Sequence, residues 1–300
     1  MTATSSVSVL IPTYNYARFL PQAIESVLAQ SVSLLEIVVA DDGSTDGTEQ
    51  VVARYKDQVA YLRFEHRGIV ALRNEMFPRL RGEWILNLDA DDWIEPTFLE
   101  AALARVGQLG NPPELAFLYA DRADFGAYER RQTVPEFSAA RLKQGNYIPF
   151  DMLVRRDVAV RYAFDAAFAK GWEDYDYLIA LVKNGYVGAR LASPPVHCRV
   201  HSDNRTGRTL GGDELQTLMK QIVAKHADFF SPEEARAAVE GFSPESVLRG
   251  RICECIRARQ YLRGTGLLLQ AGFRRPGALL SPDALRRVGT EIVRTIWRQG

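Results

Sequence analysis

The chain has 300 residues, 47% hydrophobic and 25% charged, and its formal net charge at pH 7 is zero. This balance is typical of a globular protein with a sizeable core. No apolar run reaches about 18 residues, so we predict no transmembrane helix, and the short polar N-terminus is unlike a signal peptide. Three cysteines without metal-type spacing fit free thiols in a reducing compartment. We therefore expect a cytoplasmic protein.

The N-terminal part of the chain alternates apolar strands with helical segments. Residues 7–12 and 35–40 have the composition of buried strands, and each is followed by a polar turn and a helical pattern. This order predicts a nucleotide-binding α/β layer with right-handed crossovers. The second turn has the sequence DDGSTD, whose carboxylates could accept hydrogen bonds from a base or a ribose hydroxyl.

An apolar run at residues 84–88 ends in three carboxylates, those of Asp89, Asp91 and Asp92. Open α/β sheets bind ligands at the carboxyl ends of their strands, which is where these acids lie. In an extended backbone, Asp89 and Asp91 point to one side and Asp92 to the other. Clustered carboxylates repel one another, and Mg²⁺ or Mn²⁺ bound by oxygen ligands would relieve the repulsion. The alternative is a solvated acidic loop.

Five motifs follow one another within residues 5–205: SVLIPTYNYARFLPQAIESVLAQS, EIVVADDGSTDGT, HRGIVALRN, GEWILNLDADDWIEP and GWEDYDYLIALVKNGY. In this order and at these spacings they resemble the family 2 glycosyltransferases. The resemblance implies an α/β protein of the GT-A fold, with a Rossmann-like nucleotide-binding half, an acceptor half and a mixed central sheet. It also implies an enzyme that transfers a sugar from a nucleoside diphosphate donor to an acceptor hydroxyl and inverts the anomeric centre.

On the donor side, the resemblance implies a set of binding residues: Pro12, Tyr14, Asn15, Asp41, Arg73, Asp89 and Asp91. Asp41 would contact the base, because a carboxylate matches the N–H donor of a pyrimidine imide. Arg73 falls at the start of a predicted helix, whose N-terminus can face phosphates. Simple packing is the alternative for Tyr14, and a surface salt bridge is the alternative for Arg73.

The resemblance also assigns the metal, Mn²⁺ or Mg²⁺, to Asp91, with Asp89 nearer the ribose or sugar and Asp92 assisting. The metal would neutralise the charge that develops on the leaving nucleoside diphosphate. His201 follows the acceptor region and would be a further ligand. An isolated histidine is also often structural, so this alternative stays open.

Glu173 and Asp174 open a predicted helix. An inverting transfer needs one carboxylate that faces the acceptor hydroxyl from the side opposite the leaving group. The resemblance gives this role of general base to Asp174, while Glu173 would orient the acceptor. Trp172 would stack on an acceptor sugar or fill the core. Acids at a helix N-terminus also interact favourably with the helix dipole, which is the non-catalytic alternative.

We predict a catalytic domain over residues 1–205, with a nucleotide-sugar half (1–110) and an acceptor half (111–205), and an α-helical extension over 206–300. The loop at 202–212 lacks apolar anchors, and its Arg205 and Arg208 could close over the diphosphate. Helical periodicity follows at 213–226, 232–241 and 244–264.

The C-terminal segment is strongly basic. From residue 249 onward it contains eleven arginines and three acids, a net charge of +8. Interleaved apolar residues make its helices amphipathic, which suggests peripheral contact with an anionic membrane at the inner face of the cytoplasmic membrane. The alternative is a helical cap on the catalytic domain. A nucleic-acid partner is not expected, because the segment has no recognisable module and the rest of the chain is acidic.

These residues and the resemblance together predict an inverting, metal-dependent glycosyltransferase that uses a UDP-sugar and a glycan or glycolipid acceptor. The resemblance alone implies a setting in surface polysaccharide or glycoconjugate assembly. A nucleotidyltransferase would need a Gly-rich loop with a basic residue near the first strand, and residues 13–15 are Thr-Tyr-Asn. A nucleotide-sugar-binding regulator would not need Asp174.

Overall fold

The computed structural model describes residues 7–201, 212–243 and 246–247. The chain divides into two units, Met1–Arg208 and Thr209–Gly300. Several predictions from the sequence lie outside the described residues: those for the loop with Arg205 and Arg208, for most of the helix at 244–264, and for the arginine-rich segment after it.

The first part of unit one is a parallel β-α layer. Four strands run parallel to one another: β1 (Val7–Thr13), β2 (Glu36–Asp41), β3 (Ala60–Arg63) and β4 (Trp84–Asn87). Three helices connect them: α1 (Leu20–Leu28), α2 (Thr48–Val52) and α3 (Ile69–Met76). All seven residues of β1 are buried. Since parallel strands are covered on both faces, they appear in the sequence as continuous apolar runs.

The second part of unit one extends the same sheet with strands of both directions. Its strands are β5 (Trp93–Ile94), β6 (Leu115–Gly126), β7 (Arg130–Gln132), β8 (Leu153–Arg155) and β9 (Val187–Val200). Its helices are α4 (Phe98–Gln108), α5 (Ala139–Leu142), α6 (Arg156–Arg161) and α7 (Glu173–Lys183). The strand order is β3-β2-β1-β4-β8-β6-β9-β5, with β7 paired to β6. Strand β8 is antiparallel to both β4 and β6, whereas β6 and β9 are parallel. The predicted mixed sheet is therefore confirmed.

One hydrophobic core supports both parts of the sheet. Leu86 of β4, Leu118 of β6 and Leu191 of β9 belong to the same buried cluster. Helix α1 packs on it through residues three or four positions apart: Leu20, Ala23, Ile24 and Val27. The shared core holds the ends of β4 and β9 in a fixed relation, and the candidate site lies at those ends.

Unit two contains two described helices, α8 (Gly212–Lys225) and α9 (Pro232–Gly241). Both agree with the helical periodicity of the sequence. Helix α9 starts with a capping box, in which Ser231 and Glu234 each accept a backbone hydrogen bond from the other. Among the described residues, no helix is both long and apolar enough to cross a membrane.

Candidate active site

The acids after β4 form a tight turn. The backbone N–H of Asp92 donates to the carbonyl oxygen of Asp89 at 3.0 Å. The backbone therefore reverses its direction here and leads into β5. The expectation of an extended backbone, with Asp89 and Asp91 on one side, is wrong. As a result, each of the three carboxylates meets a different part of the protein.

Asp91 and His201 meet across this turn. Asp91 Oδ2 lies 3.0 Å from His201 Nε2, and the two side chains are only 12% and 13% exposed. Two adjacent ligands at about 2.1 Å from an octahedral cation lie about 3.0 Å apart. The observed distance is that of a hydrogen bond between the two side chains, and it also fits a pair of neighbouring metal ligands. The His201 ring packs on Phe19, with 4.7 Å between ring centroids, and this contact holds the imidazole in place.

The turn is electrostatically crowded. Burial raises the pKa of Asp91, and repulsion from Asp89 adds to the rise. Burial also raises the pKa of Asp92 well above its usual value, with repulsion from Asp151 as the next cause. Both shifts show that the folded protein stabilises these carboxylates poorly as anions. A divalent cation would remove the cost, which is the physical reason to look for a metal here.

Asp92 points inward and holds β9. Its Oδ1 accepts from the backbone N–H of Arg199 at 2.7 Å. The guanidinium Nε of Arg199 in turn donates to the carbonyl oxygen of Asp91 at 3.2 Å. Asp92 therefore fixes the end of β9, which His201 directly follows, and its buried side chain does not face the surface.

Asp151 lies under the turn and was not predicted as a site residue. Its Oδ1 accepts from the backbone N–H of Asp89 at 2.9 Å. Burial raises the pKa of Asp151 to about 7, and repulsion from Asp89 adds to it. Ligand atoms of Asp92, Asp151 and Cys198 all lie within 4.8 Å of one another, so this buried group could also hold a metal ion. The only sequence signal was an acid at the end of YIPFD, residues 147–151.

The structure corrects the roles of Asp41 and Pro12. Asp41 is fully buried, and its two carboxylate oxygens accept from the Ser44 backbone N–H at 2.8 Å and from the Tyr61 hydroxyl at 2.6 Å. A buried and engaged carboxylate does not fit direct contact with a base. Asp41 instead anchors the turn after β2, and Pro12 is buried within β1.

The exposed surface at the ends of β1 and β3 is aromatic. Tyr14 is 41% exposed and stacks on His66, with 4.0 Å between ring centroids and 18° between planes. Asn15 adopts a left-handed backbone conformation with φ of 58°, and its side-chain oxygen accepts from the Thr45 backbone N–H at 2.8 Å. Asparagine tolerates this conformation better than most residues. The turn thereby holds Tyr14 at the surface, where a planar base could stack.

Arg73 does not lie at a helix start. Helix α3 begins at Ile69, which places Arg73 in its second turn, and the side chain is 4% exposed. Its guanidinium donates to Asn87 Oδ1 at 3.2 Å, to Asp89 Oδ1 at 3.2 Å and to Glu173 Oε1 at 3.3 Å. A surface salt bridge is therefore the wrong interpretation, and so is a position at a phosphate-facing helix N-terminus.

Asp174 lies near the start of α7 and is partly exposed. Its Oδ1 accepts from the Tyr175 backbone N–H at 2.7 Å, and its Oδ2 accepts from Asn146 Nδ2 at 3.0 Å. Glu173 is fully buried and does not reach an acceptor. The expectation that it orients the acceptor by direct contact is therefore wrong. Trp172 is half-buried and packs edge-on against Tyr175 at 5.5 Å between centroids. Of the two acids, only Asp174 is placed to meet a substrate.

The chain is similar to known glycosyltransferases in sequence. Residues 8–164 match the family described as Glycosyl transferase family 2. The putative glycosyltransferase EpsH of Bacillus subtilis is 33% identical over 107 residues, which cover 35% of this chain and 31% of EpsH. Across the first curated relatives, the matched segments span only 16% to 35% of the relatives' own length.

Two solved structures are similar in fold. TarS of S. aureus, in complex with UDP-GlcNAc, has a TM-score of 0.64 and 19% identity, and the likeness covers 98% of this chain and 92% of that chain. The mannosyltransferase PcManGT of Pyrobaculum calidifontis, in complex with GDP-Man and Mn²⁺, has a TM-score of 0.58 and 17% identity, with 100% and 89% covered. At these identities the likeness shows the fold, which is GT-A as expected. Because the family match covers more than half of the chain, this protein belongs to glycosyl transferase family 2.

Proposed function

We propose that this glycosyltransferase moves a sugar from a UDP-sugar to a hydroxyl of a glycan or glycolipid, with inversion of the anomeric centre and with Mn²⁺ or Mg²⁺ bound. The observation that carries the proposal is the pair of Asp91 and His201, 3.0 Å apart at the end of β4. Its supports are the UDP-GlcNAc bound by TarS and the Mn²⁺ and GDP-Man bound by PcManGT.

On the donor side, Asp91 and His201 would hold the cation, and a bound cation neutralises charge on the diphosphate. The base would stack on Tyr14, with Asn15 beside it. The side chain of Asp89 is 47% exposed, so it is accessible to ribose or sugar hydroxyls. Asp41, Asp92 and Pro12 would act indirectly, through the turns and strands that they hold.

On the acceptor side, Asp174 would take the proton of the acceptor hydroxyl. The acceptor oxygen forms a bond to the anomeric carbon while the bond from that carbon to the diphosphate oxygen breaks. Attack from the face opposite the leaving group inverts the anomeric centre. Trp172 lies two residues before Asp174 and would offer an indole ring to an acceptor sugar.

The domain boundaries and a membrane contact complete the proposed function. We propose that the catalytic domain spans residues 1–205 and that residues 206–300 form a helical extension. The basic segment from residue 249 would contact the anionic inner face of the cytoplasmic membrane, with the protein otherwise cytoplasmic. Its charge of +8 is the support for this contact, which would bring the site close to a lipid-linked acceptor.

The donor can be tested without knowledge of the acceptor. A ligand that binds only the folded state raises the Tm by mass action, so a panel of nucleotide sugars with Mn²⁺ should reveal the donor. We expect a UDP-sugar to raise the Tm most, and to lose its effect in EDTA. Release of UDP that depends on an added glycan or glycolipid would then establish transfer. If no nucleotide sugar raises the Tm with metal present, the proposed function is wrong.

A further inference from the structure

Arg73 connects the donor side of the proposed site with its acceptor side. Its Nη2 lies 3.2 Å from Asp89 Oδ1, in the turn after β4, and its Nη1 lies 3.3 Å from Glu173 Oε1, at the start of α7. Its Nε donates to Asn87 Oδ1, the last residue of β4, at 3.2 Å. All three guanidinium nitrogens therefore donate hydrogen bonds: two to β4 and the turn that follows it, and one to the start of α7.

The connection is buried and has little freedom. The side chains of Arg73 and Glu173 are 4% and 1% exposed. The guanidinium carbon lies 4.6 Å from the centre of the Phe150 ring, which covers it on one face. Buried charges are tolerated only when they are paired and hydrogen-bonded, so each partner holds the other in place. A planar guanidinium can meet three acceptors at fixed angles, which a lysine ammonium cannot reproduce.

The two ends of this connection adjoin the residues that the reaction needs. Glu173 directly precedes Asp174, and Asp89 lies two residues before Asp91 in the same turn. Asp89 is also accessible, since 47% of its side chain is exposed, while Arg73 holds one of its oxygens. A ligand that fixes Asp89 would therefore also restrain Arg73, and through Glu173 the first turn of α7.

We propose that Arg73 and Glu173 are positioning residues, which set the place of Asp174 relative to the donor carboxylates and tighten the first turn of α7 when the donor side is occupied. This inference rests on the proposed function, because it uses Asp89 as a donor contact and Asp174 as the base. Neither Arg73 nor Glu173 needs to touch the substrate.

Hydrogen exchange of the α7 backbone tests the connection without an acceptor. We would compare peptides covering residues 173–178 with and without UDP and Mn²⁺, in the wild type, Glu173→Gln and Arg73→Lys. Glu173→Gln keeps an oxygen that can accept from Arg73 and removes the charge, so it is the milder change. Arg79→Lys is the matched control: it carries the same substitution as Arg73→Lys, in an exposed ion pair with Glu75 at 2.5 Å.

In the wild type and in Arg79→Lys, UDP with Mn²⁺ should slow exchange in these peptides several-fold. In Glu173→Gln the slowing should be largely lost while the Kd for UDP stays within about threefold. Well below the Tm, the kcat of folded Glu173→Gln should fall by about tenfold or more, because a displacement of about 1 Å at a reacting group can cost about 10² in rate. A pair that only stabilised the fold would lower the Tm and leave the kcat unchanged.

The inference is overturned if UDP binds the wild type without slowing exchange in α7. It is also overturned if both variants keep the full slowing, or if their kcat stays at the wild-type value. The proposed function fails separately if neither UDP nor GDP binds the wild type in the presence of Mn²⁺, and the inference then falls with it.

Discussion

The acids on the donor side and the acid on the acceptor side are held in opposite ways. Asp92 is buried and Asp91 is largely buried, both next to other carboxylates, and burial raises the pKa of both. Asp174 is partly exposed at the start of α7, where Tyr175 and Asn146 each donate a hydrogen bond to its carboxylate. Hydrogen bonds to the charged form of a carboxyl group favour that form, whereas burial beside like charges disfavours it.

This contrast is the physical basis for proposing two different tasks for the aspartates. A crowded and buried pair gains most from a divalent cation, because the cation supplies the positive charge that the protein withholds. A carboxylate that is accessible and hydrogen-bonded can meet an acceptor hydroxyl without a metal. Single substitutions can change one side of this contrast at a time.

The largest effect should come from removal of the base. Asp174→Asn keeps the size of the side chain and removes its ability to accept the proton, so the kcat should fall by about 10²-fold or more. Donor affinity should stay close to that of the wild type, because the donor carboxylates are untouched. Steady-state kinetics together with UDP titration would check this. A near-normal kcat with a raised Kd for UDP would instead place Asp174 in the donor site.

A smaller loss should follow when Asp174 loses one hydrogen bond. In Asn146→Ala the carboxylate loses the Asn146 contact and keeps the Tyr175 contact, and a hydrogen bond to a charged group contributes about 1.5–3 kcal/mol. We expect the kcat to fall roughly tenfold and the acidic limb of the pH profile to move to higher pH. Asn184→Ala, at the other end of α7, is the control. If the pH profiles of Asn146→Ala and the wild type coincide, Asn146 does not position the base.

Asp151→Asn should change stability more than catalysis. Burial raises the pKa of Asp151 to about 7, compared with about 3.9 in an unfolded chain. Between about pH 4 and pH 7, the Asp151 carboxyl group is protonated in the folded state and ionised in the unfolded state. The free energy of unfolding should therefore decrease as the pH rises from about 4 to about 7. Asparagine removes this decrease and keeps an oxygen that can accept from the Asp89 N–H.

The metal-free Tm, measured between pH 5 and pH 8, would show the change. The advantage of Asp151→Asn over the wild type should widen as the pH rises. Parallel Tm profiles would mean that Asp151 does not carry this charge penalty.

The smallest and most salt-sensitive effect concerns the basic C-terminal segment. Each basic residue near an anionic surface contributes about 1 kcal/mol, and the Debye length falls to about 3 Å at 1 M salt. The full-length protein should therefore sediment with anionic vesicles at low salt and be released at high salt, while neutral vesicles serve as the control. If it stays in the supernatant with anionic vesicles at low salt, the membrane contact is wrong.

The donor half could be predicted from the sequence more completely than the acceptor half. Strands β1, β2 and β4 are apolar runs because they are buried on both faces, and the polar turns after them are local in sequence. The pairing of β6 with β9 joins segments about 70 residues apart and contains register shifts. Such pairing is determined by packing across the sheet, which no short window of sequence contains.

The candidate site shows the same division. Asp91 and Asp174 could be proposed because they lie in the ordered motifs, and His201 because it follows the acceptor region. Asn146, Asp151 and the burial of Asp41 could not, because each depends on a contact with a residue distant in the sequence or on the depth of a side chain. Arg73 was identified as a site residue, but its three partners, one of them 100 residues away, required the folded structure.

The most direct test of the donor site is calorimetric titration of UDP into the wild type and Asp91→Asn, each with Mn²⁺ and with EDTA. If Asp91 and His201 hold a cation that binds the diphosphate, Mn²⁺ should strengthen UDP binding to the wild type markedly. Asp91→Asn should then bind UDP with Mn²⁺ about as weakly as the wild type binds it in EDTA. Equal UDP affinity for the two proteins in the presence of Mn²⁺ would contradict the metal site and, with it, the proposed mechanism.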